Sequence, residues 1–356
     1  MKNSKKFSME ERILKWTKRH KKRNSIYTGI IFVVALILLV FAMTSQKIEP
    51  VKAIGKAPNE ISMTYLGNIE LNNHIRKNNL NDAFASIKEI LKGSDYSTAS
   101  LEMTKFSDDR KTNISKNLEN VLFLKGLNLK SLNVINQVTD NITARDFMKS
   151  VEAQTGYNYL TGNGSNPINS KTVQQTIKGK KIANVSFTDV ESNYTDTLKN
   201  TTSVSLEPSI YMPLIKKLKE NNDYVVVNVD WGITDERSVT TRQREYAHSL
   251  SKAGADVIIG HNSVVQEIEK YKNTDIFYSL GNTTSEDFLS KNKQGLAVQQ
   301  TWNGKQSKFM ITPIKSQGGK VTKSSPNVVE ERKLLNNIEG KNLDLKKENG
   351  GYVYEH

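Results

Sequence analysis

Between Val225 and Asn282 three short apolar runs each stop abruptly at glycine and polar residues: Val225-Val-Val-Asn-Val-Asp-Trp-Gly232, Ala253-Gly-Ala-Asp-Val-Ile-Ile-Gly-His-Asn262 and Ile276-Phe-Tyr-Ser-Leu-Gly-Asn282. A run that is apolar at consecutive positions has to be covered on both faces, which suits a central strand of an α/β sheet and not a half-solvated hairpin. In open α/β sheets ligands bind at the ends of such strands. Asp230, His261 and Asn282 are therefore expected to gather at one rim.

The rest of the chain repeats the pattern. Ile61 to Leu66 alternates like a first strand and ends at Gly67-Asn68, a helical stretch follows over 80–91, and a strand reaches Ser100-Leu-Glu102. Leu129 to Ile135 is a further apolar run ending at Asn136-Gln137, and Lys181 to Phe187 another, ending at Thr188-Asp189. Helical patterns at 213–220 and 242–253 lead into the strands that begin at Val225 and Val257. Strands that alternate with helices predict a layered α/β domain, here over residues 61–315. Past Pro313 the sheet should be complete, and residues 316–356 read as a helix, 328–338, followed by a charged, frayed tail. Asn158 to Thr176 and Ser192 to Ser209 are rich in Asn, Gly, Ser and Thr and read as loops.

Charge is unevenly placed. The net +14 would suggest nucleic acid, but residues 1–24 hold ten Lys/Arg against two Glu, which leaves only +6 for the other 332 residues. No nucleic-acid partner is expected. The basic residues 1–25 precede an uncharged run from Ile26 to Thr44, close to the ~20 residues that span a bilayer. This predicts a single uncleaved transmembrane helix, 26–44, with the tail cytoplasmic by the positive-inside rule and residues 45–60 as a stalk to an extracellular domain. Ser8 and Glu11 form a capping-box pattern, with Met9, Ile13 and Trp16 at helical spacing after it. That face is expected to lie on membrane lipid or dock a partner.

Few side chains offer chemistry. With no cysteine there is no thiolate nucleophile and no cysteine metal site. The chain has no P-loop, no GxGxxG turn and no Gly-x-Ser-x-Gly elbow; Ser279 reads as a residue of the strand end. Of five histidines, His20 precedes the apolar run, His356 is terminal, His248 sits in a helix pattern and His74 lies just beyond the Gly67 turn. Only His261 is well placed for a site. Trp231, Tyr271 and Tyr278 read as packing residues.

Taken together, Met63-Thr-Tyr-Leu-Gly67, Ser100-Leu-Glu102, Leu132 to Asn136, Phe187-Thr-Asp189, Asp230-Trp-Gly232, Arg242-Gln243, Ala253-Gly-Ala-Asp256, Gly260-His261, Glu269, Tyr271 and Ile276 to Asn282 resemble, in order and spacing, the CapA (PgsA) family of poly-γ-glutamate capsule biosynthesis proteins. The resemblance implies a calcineurin-like metallophosphatase-type sandwich, two mixed sheets flanked by helices, after one N-terminal transmembrane helix, with metal ligands at the strand ends. The site residues it assigns are Asn68, Glu102, Asn136, Asp230, His261 and Asn282.

Several of these depart from the family pattern. Gly67-Asn68 stands where the family has Gly-Asp, Asn136-Gln137 where it has Asn-Asn-His, Asp230-Trp-Gly where it has His-Trp-Gly, and Gly260-His-Asn-Ser263 where it has Gly-His-His-Pro-His. An amide cannot supply the anionic oxygen that bridges two cations. Glu102, Asp230 and His261 retain donors for one divalent ion at most; the alternative is that these residues hydrogen-bond to hold loops in place. No cofactor is expected. The resemblance implies a membrane-anchored extracellular subunit of the complex that makes and exports anionic poly-γ-glutamate, partnered by an ATP-using glutamate ligase and a small integral membrane protein. It would stimulate synthesis or guide the polymer without catalysis of its own. The alternative is a surface metallohydrolase of the phosphoesterase type, with a reduced metal site.

Overall fold

The computed structural model describes residues 8–44, 49–71, 78–135, 146–147, 149–151, 153, 160–161, 172–189, 205–285, 287, 289–340 and 343–356. The chain divides into two units, Met1–Ile48 and Glu49–His356.

In the first unit Met9–Thr44 is one helix of 36 residues, where the sequence suggested a short amphipathic helix and a separate span. Its start is fixed by the expected capping box: the Ser8 amide donates to Glu11 Oε2 at 2.9 Å and the Glu11 amide to Ser8 Oγ at 3.2 Å. Met9, Ile13 and Trp16 are exposed on it. The expected transmembrane span finds no support. Among the described residues no helix is long and apolar enough to cross a membrane.

The second unit is built on two mixed sheets. Its strands are, in chain order, β1 (Ile61–Glu70), β2 (Tyr96–Glu102), β3 (Ser131–Ile135), β4 (Leu160–Thr161), β5 (Val173–Ile177), β6 (Lys180–Thr188), β7 (Tyr224–Asp230), β8 (Val257–His261), β9 (Ile268–Tyr271), β10 (Thr274–Phe277), β11 (Asn282–Thr284), β12 (Gln294–Trp302), β13 (Ser307–Gln317), β14 (Lys320–Lys323), β15 (Lys346–Glu348) and β16 (Gly351–Glu355). One sheet runs β15-β16-β13-β12-β1-β2-β3-β4, with β11 also on β1 and β14 on β13; the other runs β5-β6-β7-β8-β10-β9. Strands β1, β2, β3 and β4 pair in parallel, as do β6, β7, β8 and β10. Parallel neighbours place the ends of β2, β7 and β8 on a common side of their sheets.

The consecutive apolar residues of β7 and β8 are explained by coverage on both faces. Val225, Val227, Val229 and Ile258 pack outward with Tyr211, Ile215, Ala247 and Leu250 of the helices Pro208–Asn221 and Thr241–Ala253. Val226, Val257 and Ile259 pack inward with Met63, Tyr65, Leu296, Val298 and Phe309 of the other sheet. A third cluster joins Leu66, Leu101 and Leu132 to Phe84, Ile87, Leu118 and Val121 on the far side of the first sheet. The domain is thus helix, sheet, sheet, helix, the layered α/β architecture the alternation predicts.

Two boundaries differ from the sequence reading. The sheet does not finish near Pro313, nor does the tail fray: β16 pairs with β13 from Lys308↔Glu355 to Ile311↔Tyr352, since Tyr352, Val353 and Tyr354 supply apolar faces that bury. The stalk is also shorter than 45–60, because Val51 and Ile54 are buried and the Ile54 amide donates to Gln299 Oε1 at 2.9 Å. Of the two expected loops, 158–176 and 192–209, residues 158–159, 162–171 and 192–204 lie outside the described residues, as do His74, Asn136 and Gln137; the first loop is cut short by strands β4 and β5, and the second ends where a helix begins at Pro208.

Candidate functional site

Strand β1 changes partner at Gly67. Up to Leu66 it pairs with β12, and from Asn68 it pairs with β11, in the register Asn68↔Asn282. The change brings two backbones together: the Asn68 amide donates to the Gly281 carbonyl at 3.0 Å, and a Cβ on Gly67 would stand 2.0 Å from that oxygen. Gly281 itself turns with φ +64°, a conformation that glycine adopts freely. Asn68 and Asn282 are thereby set side by side at a strand end.

Around them opens a cleft of about 440 Å³. Asn68, Glu70, Glu102, Asp230 and Asn282 come from the ends of β1, β2, β7 and β11; Trp231, Gly232, Thr234 and Asp235 come from the loop after β7; Asn262, Ser263, Ser285, Asp287 and Asn292 complete it. Four of the residues assigned from sequence, Asn68, Glu102, Asp230 and Asn282, therefore line one cleft. Asn136 lies outside the described residues.

His261 is not at the cleft surface. It closes β8 pointing inward, fully buried, with Nε2 2.9 Å from Asn228 Oδ1. Asn228 in turn donates through Nδ2 to Asn184 Oδ1 at 2.7 Å, so its oxygen faces the ring and Nε2 carries the proton. Nδ1 has no partner. Burial drives the imidazole pKa from 6.5 down to about 3, which keeps the ring neutral at physiological pH.

Residues that the sequence did not single out supply much of the lining. Glu70 was within reach, because it follows Asn68 by two positions in a strand and so shares its face, and it pairs in register with Glu102. Asn262 and Ser263 follow His261 directly. Asn262 Nδ2 donates to the carbonyls of Trp231 and Ile233 at 2.9 and 3.1 Å, and Ser263 Oγ to Asp235 Oδ1 at 2.8 Å, which together hold the loop after β7. Trp231 anchors the loop's base through Nε1, 2.8 Å from the Tyr278 carbonyl. No local signal marks Asn292, whose Nδ2 donates to Asp235 Oδ1 at 2.7 Å and Asp287 Oδ2 at 2.6 Å.

The cleft is strongly acceptor in character. Among the described residues five carboxylates line it and no Lys, Arg or His does, although Lys291 Nζ lies close by, 2.8 Å from the Asp235 carbonyl. Glu102 responds: burial, then the negative charges of Glu70 and Asp230, lift its carboxyl from 4.5 to about 7. Three amide oxygens, Asn68 Oδ1, Asn282 Oδ1 and Asn292 Oδ1, are buried without a donor. With His261 turned away, the described donors at the cleft are carboxylate and amide oxygens, which suit a hard cation such as magnesium or calcium and not zinc. Among the described residues no group of three or more His, Cys, Asp or Glu is placed to share an ion.

The family is decided by the stretch that carries β1 to β11 and nearly all of the cleft. Residues 62–287 match the model of the bacterial capsule synthesis protein PGA_cap. The chain belongs to this capsule synthesis family. Over 331 residues, 87% of the chain and 86% of the relative, it is 29% identical to the PGA biosynthesis protein CapA of Bacillus subtilis strain 168. It is 28% identical to the capsule biosynthesis protein CapA of Bacillus anthracis, over 83% of the chain and 77% of the relative. Among solved structures it is loosely similar to the 5'-nucleotidase of Candida albicans, with 9% identity and a TM-score of 0.45 over 76% of the chain and 54% of that protein. A putative 5'-nucleotidase of Staphylococcus aureus is comparable, with 9% identity and a TM-score of 0.41 over 77% and 58%. The chain spans little more than half the length of these nucleotidases, and likeness this loose decides nothing about chemistry.

Proposed function

We propose that this member of the capsule synthesis family is an extracellular, membrane-anchored subunit of the complex that makes and exports poly-γ-glutamate. Its role there is to stimulate synthesis or guide the polymer, with polymerisation left to an ATP-using ligase and a small integral membrane protein. The observation that carries the proposal is similarity along nearly the whole chain to the PGA biosynthesis protein CapA of Bacillus subtilis, at 29% identity. The uncharged run 26–44 behind ten basic residues supports the anchor and its orientation.

Deletion of the gene followed by capsule staining tests the function, with the full-length chain restoring capsule in the deleted strain. Unchanged capsule in the deletion strain removes the proposal. Protease added to wall-stripped cells tests the placement: it should digest the domain after Gln46 and spare the tail, whereas a fully protected domain refutes the topology.

A further inference from the structure

Strand β16 belongs to the first sheet through β13, yet the residue that follows it reaches across to the second. The backbone of His356 exchanges two hydrogen bonds with Ser307: its amide donates to the Ser307 carbonyl at 2.8 Å, and its carbonyl accepts from the Ser307 amide at 2.7 Å. Its ring meanwhile stands between two acceptors of the second sheet. Nδ1 lies 3.0 Å from Asp275 Oδ2 on β10, and Nε2 lies 2.9 Å from the carbonyl of Lys272 in the turn between β9 and β10. A neutral imidazole has one N–H and one lone pair, so it satisfies one of these oxygens and sets a lone pair against the other, whereas the imidazolium donates to both. Turning the ring over would put carbon against both oxygens. The geometry therefore selects the charged ring.

We propose that His356 is a proton-operated clasp between the two sheets, closed while the ring is charged and slack once it is neutral. The hydrogen bond to Asp275 does most to raise the proton affinity of the ring; burial opposes it, the Asp275 charge and the Lys272 carbonyl add to it, and the positive charge of Lys270 works against it, with a net rise above the ordinary 6.5. Below 6.5 the ring is charged in the folded and the unfolded chain and the clasp is complete; as pH climbs through the higher folded value, the native ring loses its proton and the contribution goes with it. Asp275 is 3% exposed, so a neutral ring leaves a buried carboxylate without its counter-charge. A cavity of about 340 Å³ beside the pair admits water to it. The other charged groups on that cavity are engaged elsewhere or lie on its rim: Lys219 is held by both oxygens of Asp256 at 2.8 Å, Asp223 faces Lys180 at 3.3 Å, and Lys305 stands exposed in the turn between β12 and β13. Tyr65, Tyr224 and Tyr354 surround Asp275, and burial first of all pushes their phenols well above 10, so they stay neutral. Lys270 supports the same junction, donating through Nζ to the Glu355 carbonyl at 3.0 Å.

The test uses the full-length chain with carbon-13 in its histidine rings. The His356 resonance, identified by its absence in His356→Gln, should titrate above 6.5 in the wild type and at a lower pH in Asp275→Asn. Hydrogen–deuterium exchange of residues 351–356 and 307–311, divided by the intrinsic rate at each pH, reads the clasp itself. In the wild type it should rise as pH passes the midpoint of the ring, and in His356→Gln, whose side chain does not titrate, it should stay level with pH. Residues 296–301, in the middle of the same sheet, should remain protected throughout. A ring midpoint at or below 6.5, protection of β16 that is independent of pH in the wild type, or the same pH dependence in His356→Gln overturns the inference. Should Asp275→Asn fail to fold, the wild-type midpoint and the exchange comparison with His356→Gln decide it alone.

Discussion

Replacing Glu102 by glutamine should make the ligand-free protein more stable, and only above the acid range. Glu102 stands half-buried at the end of β2, beside Glu70 and Asp230, and its carboxyl is pushed from 4.5 to about 7, first by burial and then by those two charges. A folded-state value above the unfolded one means that the native protein holds the proton more tightly. Below pH 4.5 both states are protonated and the site costs nothing. Between 4.5 and 7 the unfolded chain loses its proton while the native chain keeps it, so stability falls as pH rises; above 7 the whole cost is present. At about 1.4 kcal/mol for each tenfold change in proton affinity, that cost is roughly 3 kcal/mol.

Glutamine keeps the shape and removes the charge. Urea unfolding of wild type and Glu102→Gln should therefore differ by roughly 3 kcal/mol at pH 8 in favour of the variant, and by close to zero at pH 4. The matching rise in melting temperature at pH 8 is about 5 °C for a domain of this size. Taking the difference between the two proteins cancels every other titrating group. A variant that is less stable at pH 8, or a difference that does not change with pH, would refute the reasoning.

His261→Ala should destabilise the fold by about 2–4 kcal/mol, because it leaves both a cavity and an unpaired Asn228 oxygen; chemical denaturation at pH 7.5 reads this, and unchanged stability refutes it. The same substitution should remove part of the acid sensitivity. With its folded value near 3, the buried ring stays neutral while the unfolded chain takes up a proton as pH falls below 6.5, so wild type loses stability from 6.5 down to 3 and the alanine variant loses less. Gly260→Ala should cost at least about 2–3 kcal/mol, because its Cβ would stand 2.0 Å from the Tyr278 carbonyl oxygen and 2.5 Å from Trp231 Nε1. Thermal unfolding measures it, and a melting temperature within a degree of wild type would show that the strand shifts at no cost.

Strands β7 and β8 were readable because every position along them is buried. An uninterrupted Val/Ile run has few other outcomes in a chain of this length, and the polar residue that ends each run marks the sheet edge. The tail was misread for a related reason. In Gly351-Tyr-Val-Tyr-Glu355 the alternation is short and lies among lysines and glutamates, and only pairing with β13 gives it a face to bury. His261 shows the limit of placing a residue by motif alone. The end of a strand offers both an inward and an outward direction, and Asn228 and Asn184, which form the polar contact inside the sandwich, appear in the sequence as ordinary interruptions of apolar runs.

The amide chemistry of the cleft was hidden for a different reason, and it bears on how such a site could change while the fold stays the same. Asn68 and Asn282 are placed by their backbones: β1 turns to β11 because Gly67 and Gly281 allow main chains to approach where no Cβ fits, and the amide of residue 68 pairs with the carbonyl of residue 281 whatever side chain residue 68 carries. Position and chemistry are thus independent at this rim. An aspartate at position 68 would sit where the asparagine sits and would turn an orphaned neutral acceptor into a further negative charge beside Glu70 and Glu102. The asparagine instead offers an oxygen that asks for an N–H without adding to the repulsion that already lifts Glu102. Glycines fix where these side chains stand, and an amide in place of a carboxylate sets how much charge the rim carries.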